Sequence, residues 1–245
     1  MTGRDQRSRL QNRCLSRLIR LEMVAGVKRI PLLALLLGLL WQPEALATTK
    51  GLSEIVTPDL ETPGDLSLSF QIQDKRIANP YQFQAELGLT DWAELALFQG
   101  LDPEEQIIGT EIGILTKEPW LLSTGFIDWS PRQHVDPQPY LEAGYYTEHN
   151  KFIVGAIRAG SKNQAILGYA YDFNQTWRAQ VDFQSGKENS TAFGFTCNLT
   201  RDFQVNPAIY INNGPHHDIF GYVVFTYTFH LWGKAEARSG LKQEH

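Results

Sequence analysis

From about Gly64 to Trp232 the apolar residues fall on every second position. The clearest runs are Leu66/Leu68/Phe70/Ile72, Tyr81/Phe83/Ala85/Leu87/Leu89, Ile108/Thr110/Ile112/Ile114, Ala165/Leu167/Tyr169/Tyr171/Phe173, Trp177/Ala179/Val181/Phe183 and Val223/Phe225/Tyr227/Phe229/Leu231. Mostly Ser, Gln, Gly, Thr or charged residues stand between them. An extended chain points successive side chains to opposite sides, so each run builds a ribbon with one apolar and one polar face. The period of about 3.6 that marks an amphipathic helix is almost nowhere present. Weaker runs near residues 92–99, 119–128, 139–147, 152–159, 191–199 and 203–211 fill the gaps, giving about twelve strands of roughly nine to eleven residues each.

That length narrows the choice. Strands of soluble proteins cluster near five or six residues, whereas a tilted strand needs about nine to eleven to cross a bilayer. The expected fold class is therefore all-β, an antiparallel up-and-down transmembrane β-barrel of about 12 strands. The links between runs are of two kinds that alternate. Tight ones include Thr90-Asp91, Lys117-Glu118, His149-Asn150, Asn174-Gln175-Thr176 and Thr200-Arg201-Asp202. Looser ones, richer in Pro and Gly, span 74–80, 99–105, 130–139, 160–163, 185–190 and 212–218. Short turns at one end and longer loops at the other are expected of an outer-membrane barrel.

The first 47 residues read as a cleaved signal peptide: eight cations up to Arg29, an apolar run from Ile30 to Trp41, then Ala45-Leu46-Ala47. The apolar run is shorter than the roughly 20 residues of a spanning helix, and Met1 or Met23 could start this leader. Residues 48–63 are an N-terminal extension lying in the periplasm or the lumen, 64–232 the barrel, and 233–245 a polar C-terminal tail. Cleavage would remove 8 of the 22 cations and 3 of the 27 acids, leaving 14 against 24. So acidic a chain is a poor ligand for nucleic acid. Cys197 would then be the only cysteine, which excludes an internal disulfide or a cysteine-built metal site.

The leader, the strand-turn-aromatic units (Leu89-Thr90-Asp91-Trp92; Phe173-Asn174-Gln175-Thr176-Trp177; Leu199-Thr200-Arg201-Asp202-Phe203) and the aromatic last run Tyr222 to Trp232 together resemble small porin-like outer-membrane proteins of Gram-negative bacteria. The resemblance covers nearly all of the chain after the leader. It implies an up-and-down barrel delivered by barrel-insertion machinery. Such proteins usually stop at an aromatic residue closing the final strand, whereas here Gly233 to His245 follow Trp232.

If the apolar face meets lipid, the alternate face lines the lumen. That face is expected to carry Glu86, Glu94, Glu111, Glu142, Asp172 and Asp182, with Arg158 and Arg178 opposing them. A cation facing lipid near the midplane would cost about 2–4 kcal/mol, which favours this register. Six acids against two arginines predict a mildly acidic pore favouring cations, or a lumen plugged by arginine–acid pairs. Gly88, Gly109, Gly113, Gly144, Gly168 and Gly194 either leave room for solvent or mark bends in the sheet. Trp92, Trp120, Trp177 and Trp232, near strand ends, are the expected membrane-interface aromatics.

The usual catalytic and cofactor motifs lack their residues. No histidine has a serine two residues away in the same strand, His216-His217-Asp218 sits in a Gly-Pro loop, and there is no phosphate loop or acidic calcium loop. The expectation is a passive channel for small solutes, not an enzyme, with no cofactor and no metal. Its partners would be outer-membrane lipid, the insertion machinery, and small solutes or cations. The alternatives are a closed structural or binding barrel, a soluble periplasmic β-sandwich or lipocalin-like binder, and a lipid-modifying barrel enzyme whose site residues are distant in sequence. Links that all suit neighbouring hairpins favour the up-and-down barrel.

Overall fold

The computed structural model describes residues 51–232. Twelve strands follow one another: β1 (Asp65–Gln73), β2 (Tyr81–Thr90), β3 (Ala93–Leu101), β4 (Glu104–Lys117), β5 (Trp120–Trp129), β6 (Gln138–Tyr146), β7 (Asn150–Ala159), β8 (Lys162–Asp172), β9 (Trp177–Gln184), β10 (Ser190–Asn198), β11 (Phe203–Asn212) and β12 (Ile219–His230). Each is hydrogen-bonded antiparallel to its neighbours in sequence, and β1 pairs with β12 from Asp65↔His230 to Gln73↔Tyr222. The sheet is thus a closed barrel. Closure leaves no strand edge, the condition for placing β-structure in hydrocarbon.

The alternation in the sequence becomes an inside and an outside. On β1, Ser67, Ser69 and Gln71 are buried while Leu68 and Ile72 are exposed. The outward set continues with Phe83, Leu97, Ile112, Leu141, Phe152, Val154, Leu167, Phe193, Phe195, Ile209 and Phe225, a band of exposed apolar side chains around the wall. The inward set has two faces. One, mostly on β5 to β8, is apolar: Leu121, Tyr140, Tyr146, Ile153, Ile157, Ile166 and Ala170. The other carries hydroxyls and amides on β1 and β9 to β12, with Ser67 bonded to Thr228 (3.0 Å), Ser69 to Thr226 (2.7 Å) and Gln180 to Thr196 (3.1 Å).

The start of β1, the end of β12 and the links at 91–92, 118–119, 147–149, 173–176 and 199–202 share one end of the barrel. The opposite end bears the loops 74–80, 130–137, 185–189 and 213–218. Two links expected to be loose are tight instead. β3 runs on to Leu101 and meets β4 at Glu104, and β7 meets β8 across Gly160 and Ser161. In the second, Gly160 takes a φ of +59°, a left-handed conformation that a two-residue hairpin favours and glycine adopts freely. Pairing energy gained by extending the ladder outweighs the loop composition at both places.

The expected leader 1–47 and tail 233–245 lie outside the described residues, and the strands fall within the expected 64–232. The seam between first and last strands has its own clamp. His230 on β12 sets Nδ1 2.7 Å from an Asp65 carboxylate oxygen on β1 and Nε2 3.1 Å from Asp202 in the β10–β11 turn. A ring gripped by two carboxylates ties three elements at the tight-turn end. Because His230 is part-exposed, the clamp contributes about 1–2 kcal/mol. His230→Ala should lower the temperature at which the barrel loses its detergent-resistant gel mobility by roughly 2–6 °C while leaving the heat-shifted band pattern intact.

Candidate functional site

The segment before β1 lies inside the barrel. Its sequence, Gly51-Leu-Ser-Glu-Ile-Val-Thr-Pro-Asp-Leu-Glu-Thr-Pro63, does not favour a ladder strand. Pro58 and Pro63 lack the N–H that strand pairing needs, and each restrains the threonine before it. It folds back once, at a turn closed by Leu52 N–H to the Ile55 carbonyl (3.0 Å), with Gly51 N–H donating to the Thr57 hydroxyl (3.1 Å). Leu52, Ser53, Ile55, Thr57 and Glu61 are buried against the wall.

Room for the segment comes from absent side chains. A Cβ at Gly88 would fall 2.2 Å from the Thr62 carbonyl oxygen; at Gly113, 2.6 Å from Leu60 Cδ1; at Gly144, 2.8 Å from Pro58 Cγ. At Gly168 it would fall 2.8 Å from both Leu52 and Ile55, and at Gly194, 2.4 Å from the Ser53 hydroxyl. These five glycines stand on β2, β4, β6, β8 and β10, one on every second strand. They form a track across the wall that the segment follows. Gly109, the sixth glycine that the sequence placed on the inner face, instead lies close to the Phe126 carbonyl of the neighbouring strand.

Polar groups fix the segment along that track. Near the tight-turn end, Glu94 accepts the Glu61 N–H (2.8 Å), and the Ser67 hydroxyl donates to the Glu61 carboxylate (2.7 Å). Midway, Asp59 accepts from the Tyr146 hydroxyl (2.6 Å) and from Lys151 Nζ (3.0 Å). Burial opposes ionisation of Asp59, but the Lys151 charge and hydrogen bonds from Thr57, Tyr146 and Lys151 overcome it and hold the carboxyl far below its ordinary range. At the turn, Asp182 accepts Ser53 N–H (2.9 Å) and Glu54 N–H (2.8 Å). Gln180 there donates to the Ser53 hydroxyl (3.0 Å), and the Tyr210 hydroxyl donates to the Ser53 carbonyl. The Glu54 carboxylate accepts Ser190 N–H (3.0 Å). Leu52 and Ile55 complete the apolar cluster with Leu121, Ile153, Ile157 and Ile166. Burying two such side chains contributes about 3–6 kcal/mol to seating.

Of the residues expected to line the lumen, Glu94, Glu111, Glu142 and Asp182 are all buried on the inner face. Glu86 shares it, registered with Ser67. Arg178 and Asp172 form a two-pronged inward ion pair (2.7 and 3.3 Å) on neighbouring strands. Arg158 corrects the expectation: it is exposed on the outer side of β7 with Phe152, Val154 and Ala156, and bonds the Gly160 carbonyl. It lies at the very end of its strand, where a guanidinium reaches the rim without crossing the apolar band. The inward cation of β7 is Lys151, which the alternation around Ile153 and Ile157 could have revealed. The four expected interface tryptophans, Trp92, Trp120, Trp177 and Trp232, are exposed at the tight-turn end.

His216 and His217 are exposed, and no group of three side chains fit to hold a metal occurs among the described residues. The chemistry the lumen offers is hydrogen bonding and charge, exerted on the chain's own segment.

No family model matches the chain, and no curated protein does. Among solved structures it is similar to KdgM porin, at 8% identity and a TM-score of 0.49 over 68% of this chain and 99% of that one. It is likewise similar to KdgM porin in complex with disordered oligogalacturonate, at 9% identity, a TM-score of 0.49 and the same coverage. A mutant of Rhodopseudomonas blastica porin shares 12% identity at a TM-score of 0.40, over 61% of this chain and 55% of that one. The chain itself folds as a closed barrel of twelve antiparallel strands.

The glycine track makes a direct prediction. In a Cys197→Ser background, Ser53→Cys should react slowly with a membrane-impermeant maleimide. Adding Gly144→Val and Gly168→Val, which occupy the space of Pro58, Leu52 and Ile55, should speed labelling at least tenfold without loss of the heat-shifted band.

Proposed function

We propose that this protein is an outer-membrane channel for small solutes whose pore is closed by its own residues 51–63. The observation that carries this reading is a closed barrel, apolar outside and polar inside, in which the inner wall is shaped to a segment that is not part of the wall. A barrel that served only as scaffold needs no glycine track, because ordinary side chains fill a small barrel.

The outward apolar band supports a bilayer position, with Trp92, Trp120, Trp177 and Trp232 as interface anchors on the tight-turn, periplasmic side. Outer-membrane lipid and the insertion machinery are the corresponding partners. When the segment leaves, Glu86, Glu94, Glu111, Glu142 and Asp182 outnumber Lys151, since Arg178 is engaged with Asp172. The open lumen is thus mildly acidic and favours cations over anions of equal size. The role is passage rather than catalysis.

A planar bilayer containing protein from the outer-membrane fraction tests this. The full protein should conduct in rare, brief openings. A variant lacking residues 51–61 should conduct steadily, at least tenfold more on time average, with cation preference in a salt gradient. A synthetic peptide of residues 51–63 added on the tight-turn side should block it. A deletion variant that keeps its heat-shifted mobility yet carries no current would show the barrel to be a closed structural element.

A further inference from the structure

We propose that Asp182 is the latch that holds the segment in the lumen, and that the Glu54 carboxyl beside it makes the hold depend on pH. This rests on the reading of the barrel as a channel closed by residues 51–63.

The turn at Leu52 to Ile55 presents successive backbone N–H groups to one buried carboxylate. Ser53 donates to one oxygen of Asp182 at 2.9 Å and Glu54 to the other at 2.8 Å, and the Ile55 amide bonds it as well. Successive amides around one anion make a nest of partial positive charge, a strong and directional seat. Asp182 is 1% exposed, so the seat is shielded from water and salt while the segment is in place.

Glu54 sits in the same place with different company. Its carboxylate takes the Ser190 N–H of β10, and the groups around it are Asp182 on β9, Tyr210 on β11 and, beyond Asp182, Tyr222 on β12, which also faces Glu86. No cation is among these described neighbours. A negative Glu54 would therefore lie beside a negative Asp182, away from water. Burial, and to a smaller extent Asp182, push the Glu54 carboxyl up to about 8 in the seated state, against the Ser190 hydrogen bond. Released into water it returns to about 4.5. The seated form holds the proton more tightly, so seating is strongest at low pH. Each unit of pH rise through this window shifts the balance roughly tenfold toward release, and the shift ends near 8. Acid keeps the segment in and mild alkali lets it out.

Bilayer conductance of the full protein at pH 6 and pH 9 reads this directly. We expect at least a tenfold rise, reversible on return to pH 6. Glu54→Gln, which keeps an acceptor for Ser190 and cannot ionise, should stay closed at both. Asp182→Ala should be open already at pH 6, with Asp182→Asn as a milder second variant should the first fail to show a heat-shifted band. The deletion of residues 51–61 should conduct equally at both pH values. A full protein equally closed at pH 6 and 9 beside a conducting deletion variant overturns the latch and leaves the channel reading standing. A rise that persists in Glu54→Gln overturns the role of Glu54. A deletion variant silent at both pH values overturns the channel itself.

Discussion

Everything in this structure depends on closure of the β1–β12 seam. A sheet that carries an apolar band around its outer face is suited to hydrocarbon, where an unpaired backbone N–H or carbonyl costs several kcal/mol. Nine register pairs from Asp65↔His230 to Gln73↔Tyr222 remove the two edges, and the His230 clamp to Asp65 and Asp202 fixes the end where the chain enters and leaves the wall. That end is also where residues 51–63 pass into the lumen, so closing the barrel and admitting the segment are settled at one place.

The interior answers a different constraint. A barrel of this size encloses more than its own inward side chains fill when many of those are Gly, Ser, Ala or Thr. Here the remaining volume is taken by a segment that brings both apolar groups, Leu52 and Ile55, and backbone amides. The apolar half of the wall receives the first, and Glu94 and Asp182 receive the second. Inward acids that look like a cation pathway in the sequence act in this state as acceptors for backbone N–H groups. On the proposed channel reading the same residues have two uses, anchoring the segment while it is seated and facing an aqueous path when it leaves.

Much of the fold was legible beforehand because the strand period is two and one face is apolar: runs such as Leu66 to Ile72 and Val223 to Phe229 lie in the strands expected of them. Arg158 shows where that reading fails. At the last turn of a strand a long cation reaches the rim from the outer face, so the preference for inward charge no longer operates. The links 99–105 and 160–163 show a second weakness, since Pro and Gly mark where the chain turns but not how far the ladder continues beyond.

The lumen is the clearest division between the two levels of description. Alternation and run length by themselves determined an all-β closed wall and put Glu94, Glu111, Glu142 and Asp182 on its inner face, but not the apolar inner half around Ile153, Ile157 and Ile166. They left residues 48–63 open between periplasm and lumen, and left the inward glycines open between solvent space and bends. Only the tertiary structure decided that Gly88, Gly113, Gly144, Gly168 and Gly194 align into one track and that residues 51–63 lie in it. Contacts between a segment and strands up to 157 residues away carry no local periodicity, and a missing side chain acquires meaning only from the atom that takes its place.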